Sequence, residues 1–149
     1  MYSDILLATD GSECAREATV HAIDLAKTYD ATLHVLYVIE TRIGYDTGVV
    51  DPTTIEEDLR AEGEAVLEDV AAESRATDVP FVSRLRTGVP EPEIADYVDA
   101  EGIDLVVLGE RGKSTFKTIL LGSTSEALVR DLSIPVVLVS ADETETKDA

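Results

Sequence analysis

Ile5-Leu6-Leu7-Ala8-Thr9-Asp10-Gly11-Ser12 begins with a short apolar run and ends in a turn. Consecutive apolar residues suit a strand buried on both faces, and the Asp-Gly-Ser stretch suits the bend that follows. From Ser12 to about Tyr29, Ala15, Ala18, Ala22, Leu25 and Ala26 recur at steps of three and four, giving a helix one apolar stripe. Ser12 is placed to cap it. Leu33 to Ile39 is again continuous in apolar and β-branched residues, except for His34. A buried strand, a helix and a second buried strand form the unit from which parallel sheets are built.

The same alternation runs outward through the chain. Thr41 to Pro52 has no period and two glycines, and reads as a loop. Thr53 with Glu56, and Thr54 with Glu57, have capping-box spacing. The helix they open runs to about Arg75 on Ile55, Leu59, Val66, Leu67 and Val70, with Gly63 weakening its middle. Val79 to Leu85 reads as a third strand, and Thr87-Gly88-Val89-Pro90 as a turn. Pro92 suits the first turn of a helix reaching about Ala100, with Ile94, Ala95 and Val98 facing inward. Leu105 to Leu108 is a fourth strand ending at Gly109. A helix over about Ser125 to Leu132 precedes a fifth strand, Pro135 to Val139. The fold class is therefore α/β, a single-domain three-layer sandwich with a five-stranded parallel sheet over residues 1–141. The polar tail, 142–149, is expected to be disordered.

Composition narrows the chemistry. The chain has 149 residues, with 31 Asp and Glu against 12 Lys and Arg, for a net charge of −19. Such a charge repels nucleic-acid phosphates and anionic membrane surfaces. The carboxylates are spread along the chain, a pattern that resembles proteins of salt-accumulating halophiles, where screening removes most self-repulsion. The single Cys14 excludes an intramolecular disulfide and a Cys-rich metal site. With only His21 and His34 beside it, no metal set emerges, and structural roles are expected for all three. No apolar run reaches the ~18–20 residues of a membrane span. Met1-Tyr2-Ser3-Asp4 lacks the features of a signal peptide. The expectation is a soluble, cytoplasmic protein. Arg84 and Arg86, near the third strand's end, are expected to pair with surface carboxylates.

In open parallel sheets, ligands bind beyond the carboxyl ends of the strands. Gly109-Glu110-Arg111-Gly112-Lys113-Ser114-Thr115-Phe116-Lys117-Thr118-Ile119-Leu120-Leu121-Gly122-Ser123-Thr124-Ser125 follows such an end. Gly109 and Gly112 let backbone N–H groups approach an anion. Ser123 and Glu126 have capping-box spacing and mark a helix N-terminus, which favours anions. Arg111, Lys113 and Lys117 against Glu110 give this stretch a net +2, leaving −21 on the other 132 residues of a chain that totals −19. A cationic island in so acidic a chain points to a polyphosphate. The spacing is not Walker A, because position 107 is Val107 where that motif needs Gly, and no G-x-G-x-x-G follows any strand.

Gly109-x2-Gly112-x9-Gly122-Ser123 resembles the nucleotide-binding signature of the universal stress protein family, in its ATP-binding branch. The resemblance extends to Ile5–Ser12, Leu33–Val38, Gly88-Val89-Pro90 and Ile134–Val139, nearly the whole chain. It implies a Rossmann-like sheet in the order 3-2-1-4-5, akin to adenine nucleotide alpha hydrolases. It also implies a homodimer through the C-terminal strand, Val136–Val139, and ATP across the switch point between the first and fourth strands, with Mg²⁺ on the phosphates. By position, Thr9 and Asp10 would line the adenosine pocket, and Val38 would offer backbone groups to adenine. Leu108 and Gly109 would lie under the ribose, and Arg111 beside the phosphates is the one local guanidinium. Gly112, Gly122, Ser123, Thr124 and Ser125 would hold the phosphates. Lys113 and Lys117 depart from the small apolar residues common there, and suit either phosphate contact or solvent.

Plainer readings coexist with these. Asp10 before Gly11 also suits a turn residue or a helix cap, and Ser123 a structural cap. No nucleophile–base constellation stands out, so no catalytic residue is assigned. The leading function is an ATP-binding, nucleotide-sensing or regulatory module of the stress response. A slow ATPase or nucleotide hydrolase, and a nucleotide-independent interaction protein, are the alternatives. The preference for ATP over AMP, the stress signal and the protein partner are not legible in the residues.

Overall fold

The computed structural model describes residues 1–40, 52–110 and 122–141. Five strands, β1 (Asp4–Ala8), β2 (Thr32–Glu40), β3 (Phe81–Gly88), β4 (Leu105–Gly109) and β5 (Val136–Val139), form one sheet in the order β3-β2-β1-β4-β5. Every pairing is parallel. Among the described residues four helices connect them: α1 (Glu13–Tyr29), α2 (Pro52–Ala76), α3 (Pro90–Glu101) and α4 (Ser123–Asp131). Alternate strand residues face opposite layers. Ile5, Leu7, Val35 and Val107 pack with Ala18, Ala22, Leu67 and Val70 of α1 and α2. Leu6, Leu36, Val106 and Leu108 pack with Ile94, Tyr97 and Leu128 of α3 and α4. Cover on both faces explains why the strands are unbroken apolar runs. No helix of the described residues is long and apolar enough to cross a membrane.

The first turn is built as its residues suggest. Thr9 Oγ1 accepts from Gly11 N, Asp10 Oδ1 from Ser12 N, and Ser12 Oγ from Ala15 N. Gly11 has φ 78°, and a Cβ there would lie 2.8 Å from Val66 Cγ2. Both the left-handed backbone and the close approach of α2 require glycine.

Several boundaries differ from the sequence reading. Pro52 begins α2 rather than ending a loop, so Thr53 and Thr54 lie inside the first turn and not at the cap. The remainder of the expected loop, 41–51, lies outside the described residues, as does 142–149. The third strand is Phe81–Gly88, not Val79–Leu85. Asp78 turns left-handed at φ 59°, and Val79 N donates back to Ser74 O, so Val79 closes α2. Pro80 has no N–H for the ladder. At the other end Thr87 and Gly88 stay in the sheet opposite Ile39 and Glu40, instead of forming a turn. α3 starts at Pro90, which places Pro92 in its first turn as expected, and it buries Tyr97 alongside Ile94 and Val98. α4 starts at Ser123, with Gly122 as its cap and no capping side chain, so the Ser123–Glu126 capping box does not form. Gly63 is a packing position more than a weak point. A Cβ on it would come within 2.8 Å of the Tyr37 ring and 2.9 Å of Leu85.

Candidate functional site

A cavity of about 460 Å³ opens beyond the carboxyl ends of β1, β2 and β4. Its position follows from the sheet order: β1 sends its chain to β2 on one side, while β4 lies on the other, and β1 is short. Ala8 is the last β1 residue paired on either side, with Leu36 and with Leu108. Backbone groups of successive strand residues alternate between the two neighbouring strands. Leu33 N donates to Pro80 O on the β3 side, whereas Leu36 O accepts from Thr9 N on the β1 side. Val38 shares the parity of Leu36, so its N–H and C=O face the β1 side past the point where β1 stops. On β4, Val106 and Glu110 donate to the β5 side. Gly109 therefore faces the β1 side, and its carbonyl accepts from Ser125 Oγ at 2.9 Å.

That last bond ties the first turn of α4 to the end of β4. Ser125 is buried. With its O–H committed to Gly109, the group it can present to an anion is its backbone N–H. Gly122, the cap of α4, donates its N–H to Glu110 O at 3.0 Å, and Glu110 N donates to Val139 O at 2.8 Å. The first-turn N–H groups of Ser123, Thr124 and Ser125 have no acceptor within the helix itself. They carry the positive end of its dipole to the cavity wall. Gly109 has a different reason to be glycine from the one its spacing suggests. A Cβ there would lie 2.8 Å from Cys14 Cβ and 2.9 Å from Ala15 N, so α1 and β4 meet at this point. Cys14 is a buried packing residue of that contact.

Of the residues singled out from sequence, Thr9, Asp10, Val38, Leu108, Gly109, Gly122, Ser123, Thr124 and Ser125 all line this one cavity. Arg111, Gly112, Lys113 and Lys117 lie outside the described residues. Sequence reasoning assigned no binding role to Glu40, Leu59, Glu62, Pro90 and Ile94, which line it too. Glu40 and Pro90 sit at or just past strand ends, the signal that could have found them. Leu59 and Glu62 come from α2, whose packing over the cavity has no local signature. The lining is apolar toward Val38, Ile39, Pro90 and Leu108, and carries carboxylates at Asp10, Glu40 and Glu62. Asp10 also accepts from Ser12 N, so its turn role is real. Arg86 pairs with Glu93 at 3.7 Å, half-buried, while Arg84 donates to Ser83 O. No group of three or more His, Cys, Asp or Glu among the described residues could hold a metal ion.

Residues 1–140 match the model of the universal stress protein family. Universal stress protein MJ0531 of Methanocaldococcus jannaschii is 32% identical over 148 residues, covering 97% of this chain and 86% of its own. The solved structure of MJ0577, from the same organism, superposes with a TM-score of 0.81 at 27% identity, covering 95% of this chain and 98% of that one. A universal stress protein family member from Arabidopsis thaliana, solved with AMP bound, shares the fold at a TM-score of 0.74 and 20% identity, covering 97% and 95%.

Proposed function

The chain belongs to the universal stress protein family, and on that premise we propose that it binds ATP in the switch-point cavity as a nucleotide-sensing module. One observation carries the reading: a single cavity runs from the β1-facing backbone of Val38, beyond the last β1 pairing, to the first turn of α4, where no side chain caps the helix. The first end suits the donor and acceptor edge of adenine, and the second suits phosphates. The residues present fit such a ligand in size as well, since small-molecule sites commonly enclose ~300–1,000 Å³. The AMP held by the Arabidopsis relative supports an adenine nucleotide as the class.

In this reading adenine lies against Val38 and the apolar wall. Ribose lies over Leu108 and Gly109 near Asp10, and the phosphates meet Gly122, Ser123, Thr124 and the N–H of Ser125. Arg111 and Gly112 complete the phosphate end. Carboxylates at Asp10, Glu40 and Glu62 would repel phosphate but accept hydrogen bonds from ribose hydroxyls and the adenine amine. That contrast sets the ligand's direction in the cleft. Mg²⁺, carried in on the phosphates, would lower the charge that this acidic chain has to admit. Binding and regulation, not turnover, is the role proposed.

The test is a thermal melt in high salt with mM ATP and Mg²⁺. Ligand at 100 times its Kd stabilises by about 2.7 kcal/mol, a rise in Tm of roughly 5–10 °C at this chain length. No shift, together with no nucleotide in the mass spectrum of the purified protein, would remove the reading. β5 is an open edge of the sheet, and Val136 to Leu138 are only partly buried. We extend the proposal to a homodimer that covers this edge, and light scattering showing a monomer in high salt contradicts it. The acidity is proposed to serve a saline interior, in which case stability falls as salt is withdrawn.

A further inference from the structure

α2 is packed along only part of its length. Gly63, Leu67, Val70, Ala71 and Ser74 are buried, whereas no residue from Thr54 to Glu62 is. Gly63 marks the junction, with its backbone against the Tyr37 ring and Leu85. Tyr37 and Leu85 pair three positions before β2 and β3 end at Glu40 and Gly88. A helix that joins parallel strands runs opposite to them, so the turns before Gly63 reach past the strand ends. There Leu59 and Glu62 line the cavity.

Leu59, Glu62 and Val66 stand three and four residues apart, so they share one stripe of α2. Val66 closes that stripe against the turn after β1, where a Cβ on Gly11 would lie 2.8 Å from its Cγ2. The stripe thus faces β1, which lies between β2 and β4 and so under the middle of the cavity. Glu62 stands one turn along from the contact with Gly11. Leu59 and Val66 are both half-buried and packed against the core, while Glu62 between them is exposed at the rim. A charge interrupts an apolar stripe at the point where α2 crosses the cavity.

We propose that Glu62 is a specificity-determining residue that accepts hydrogen bonds from ribose hydroxyls, so that the cavity prefers a ribonucleotide to its deoxy analogue. The inference deepens the adenine-nucleotide reading and rests on it. Position selects the sugar. The adenine edge belongs at Val38 on β2 and the phosphates at the first turn of α4 beside β4, which leaves the ribose between them, on the side that Glu62 faces. Chemistry selects it too. A carboxylate repels phosphate and accepts from hydroxyls, and such charge-assisted bonds are about twice as strong as neutral ones. It accepts several at once, so bonds within the protein leave room for a ligand hydroxyl. The close contacts of Gly63 with Tyr37 and of Val66 with Gly11 hold α2 next to Glu62 and set its position.

Calorimetric titration of the full chain in high salt compares ATP with 2′,3′-dideoxy-ATP, both with Mg²⁺ and equal in charge. The wild type should prefer ATP about tenfold or more, the effect of one hydrogen bond to a charged acceptor at the cavity rim. Glu62→Ala, which suits an exposed helix position, should lower that preference about tenfold. Loss of repulsion alone would tighten both ligands equally, and a structural role alone would weaken both equally. Either result, with the preference intact, overturns the proposal, as does a wild type that binds both alike. Amide hydrogen exchange locates the contact. Saturating ATP should slow exchange over residues 54–62 several-fold more in the wild type than in Glu62→Ala, and equal slowing overturns the contact. If neither ligand binds, the nucleotide reading itself fails and this inference falls with it.

Discussion

Under α1 and α2 the sheet buries apolar side chains, and the polar ones there, Thr19 and Ser74, bond back to Ala15 O and Val70 O of their own helices. Under α3 and α4 polar side chains instead cross between elements: Tyr97 to His34, His34 to Asp4, Ser125 to Gly109. The first face is held by shape, with backbones drawn close at Gly11, Gly63 and Gly109. The second adds directional bonds to its apolar packing. Contacts of shape involve no shared proton, whereas the Tyr97 phenol, its pKa raised by burial, makes the second face answer to alkaline pH.

Substitutions can break or sharpen that contrast. The largest effect is expected on the face held by shape: Gly63→Val forces a side chain against Tyr37 and Leu85, costing about 3 kcal/mol in a urea titration. Because Tyr37 lines the cavity, this variant should also lose the nucleotide-induced shift. On the other face Tyr97→Phe keeps the packing and leaves a buried acceptor without its donor, costing about 1–2 kcal/mol. A result near zero would mean that shape suffices there too.

The same variant separates the faces by pH. The folded phenol ionises above its ordinary value of about 10, so its contribution to stability is complete below that value. It is lost as pH rises from there through the folded one, because the unfolded phenol ionises first. Wild-type melts should decline more steeply than those of Tyr97→Phe in that alkaline window. Ser125→Ala should cost about 1 kcal/mol and weaken nucleotide binding, since it frees the first turn of α4 from Gly109. The smallest change lies on neither face. Asp30 caps α1 at φ 55°, and Asp30→Gly should raise stability by about 0.5–1 kcal/mol by relieving the left-handed strain.

The strands were legible because two covered faces make an unbroken apolar run, as in Leu105–Leu108. The first turn was legible because Asp10, Gly11 and Ser12 each act within two or three residues of themselves. Strand order was not in the local pattern and came only through family resemblance. What stayed hidden was long-range. Val79 looks like strand until Ser74 claims its N–H, and Gly63 looks like a flaw until Tyr37 is placed beneath it. His34 and Tyr97 are 63 residues apart, and no spacing announces their bond. At the site, Thr9, Asp10, Val38 and Gly109 were found from strand ends, Glu40 and Pro90 were passed over there, and Leu59 and Glu62 had no signal, because α2 reaches the cavity by lying over it. Ser123 seemed the cap of α4 from its spacing with Glu126, but Gly122 fills that position and leaves the turn to the cavity.

Gly122 N–H bonded to Glu110 O brings the two ends of segment 111–121 within one hydrogen bond of each other, on a base anchored to β5 through Glu110 N–H. Chain that leaves and returns at one point can change in length or composition at little entropic cost to the sheet, about 0.6 kcal/mol for each doubling. An exchange of residues between Glu110 and Gly122 should therefore leave the sheet standing, which a urea titration of such a variant checks.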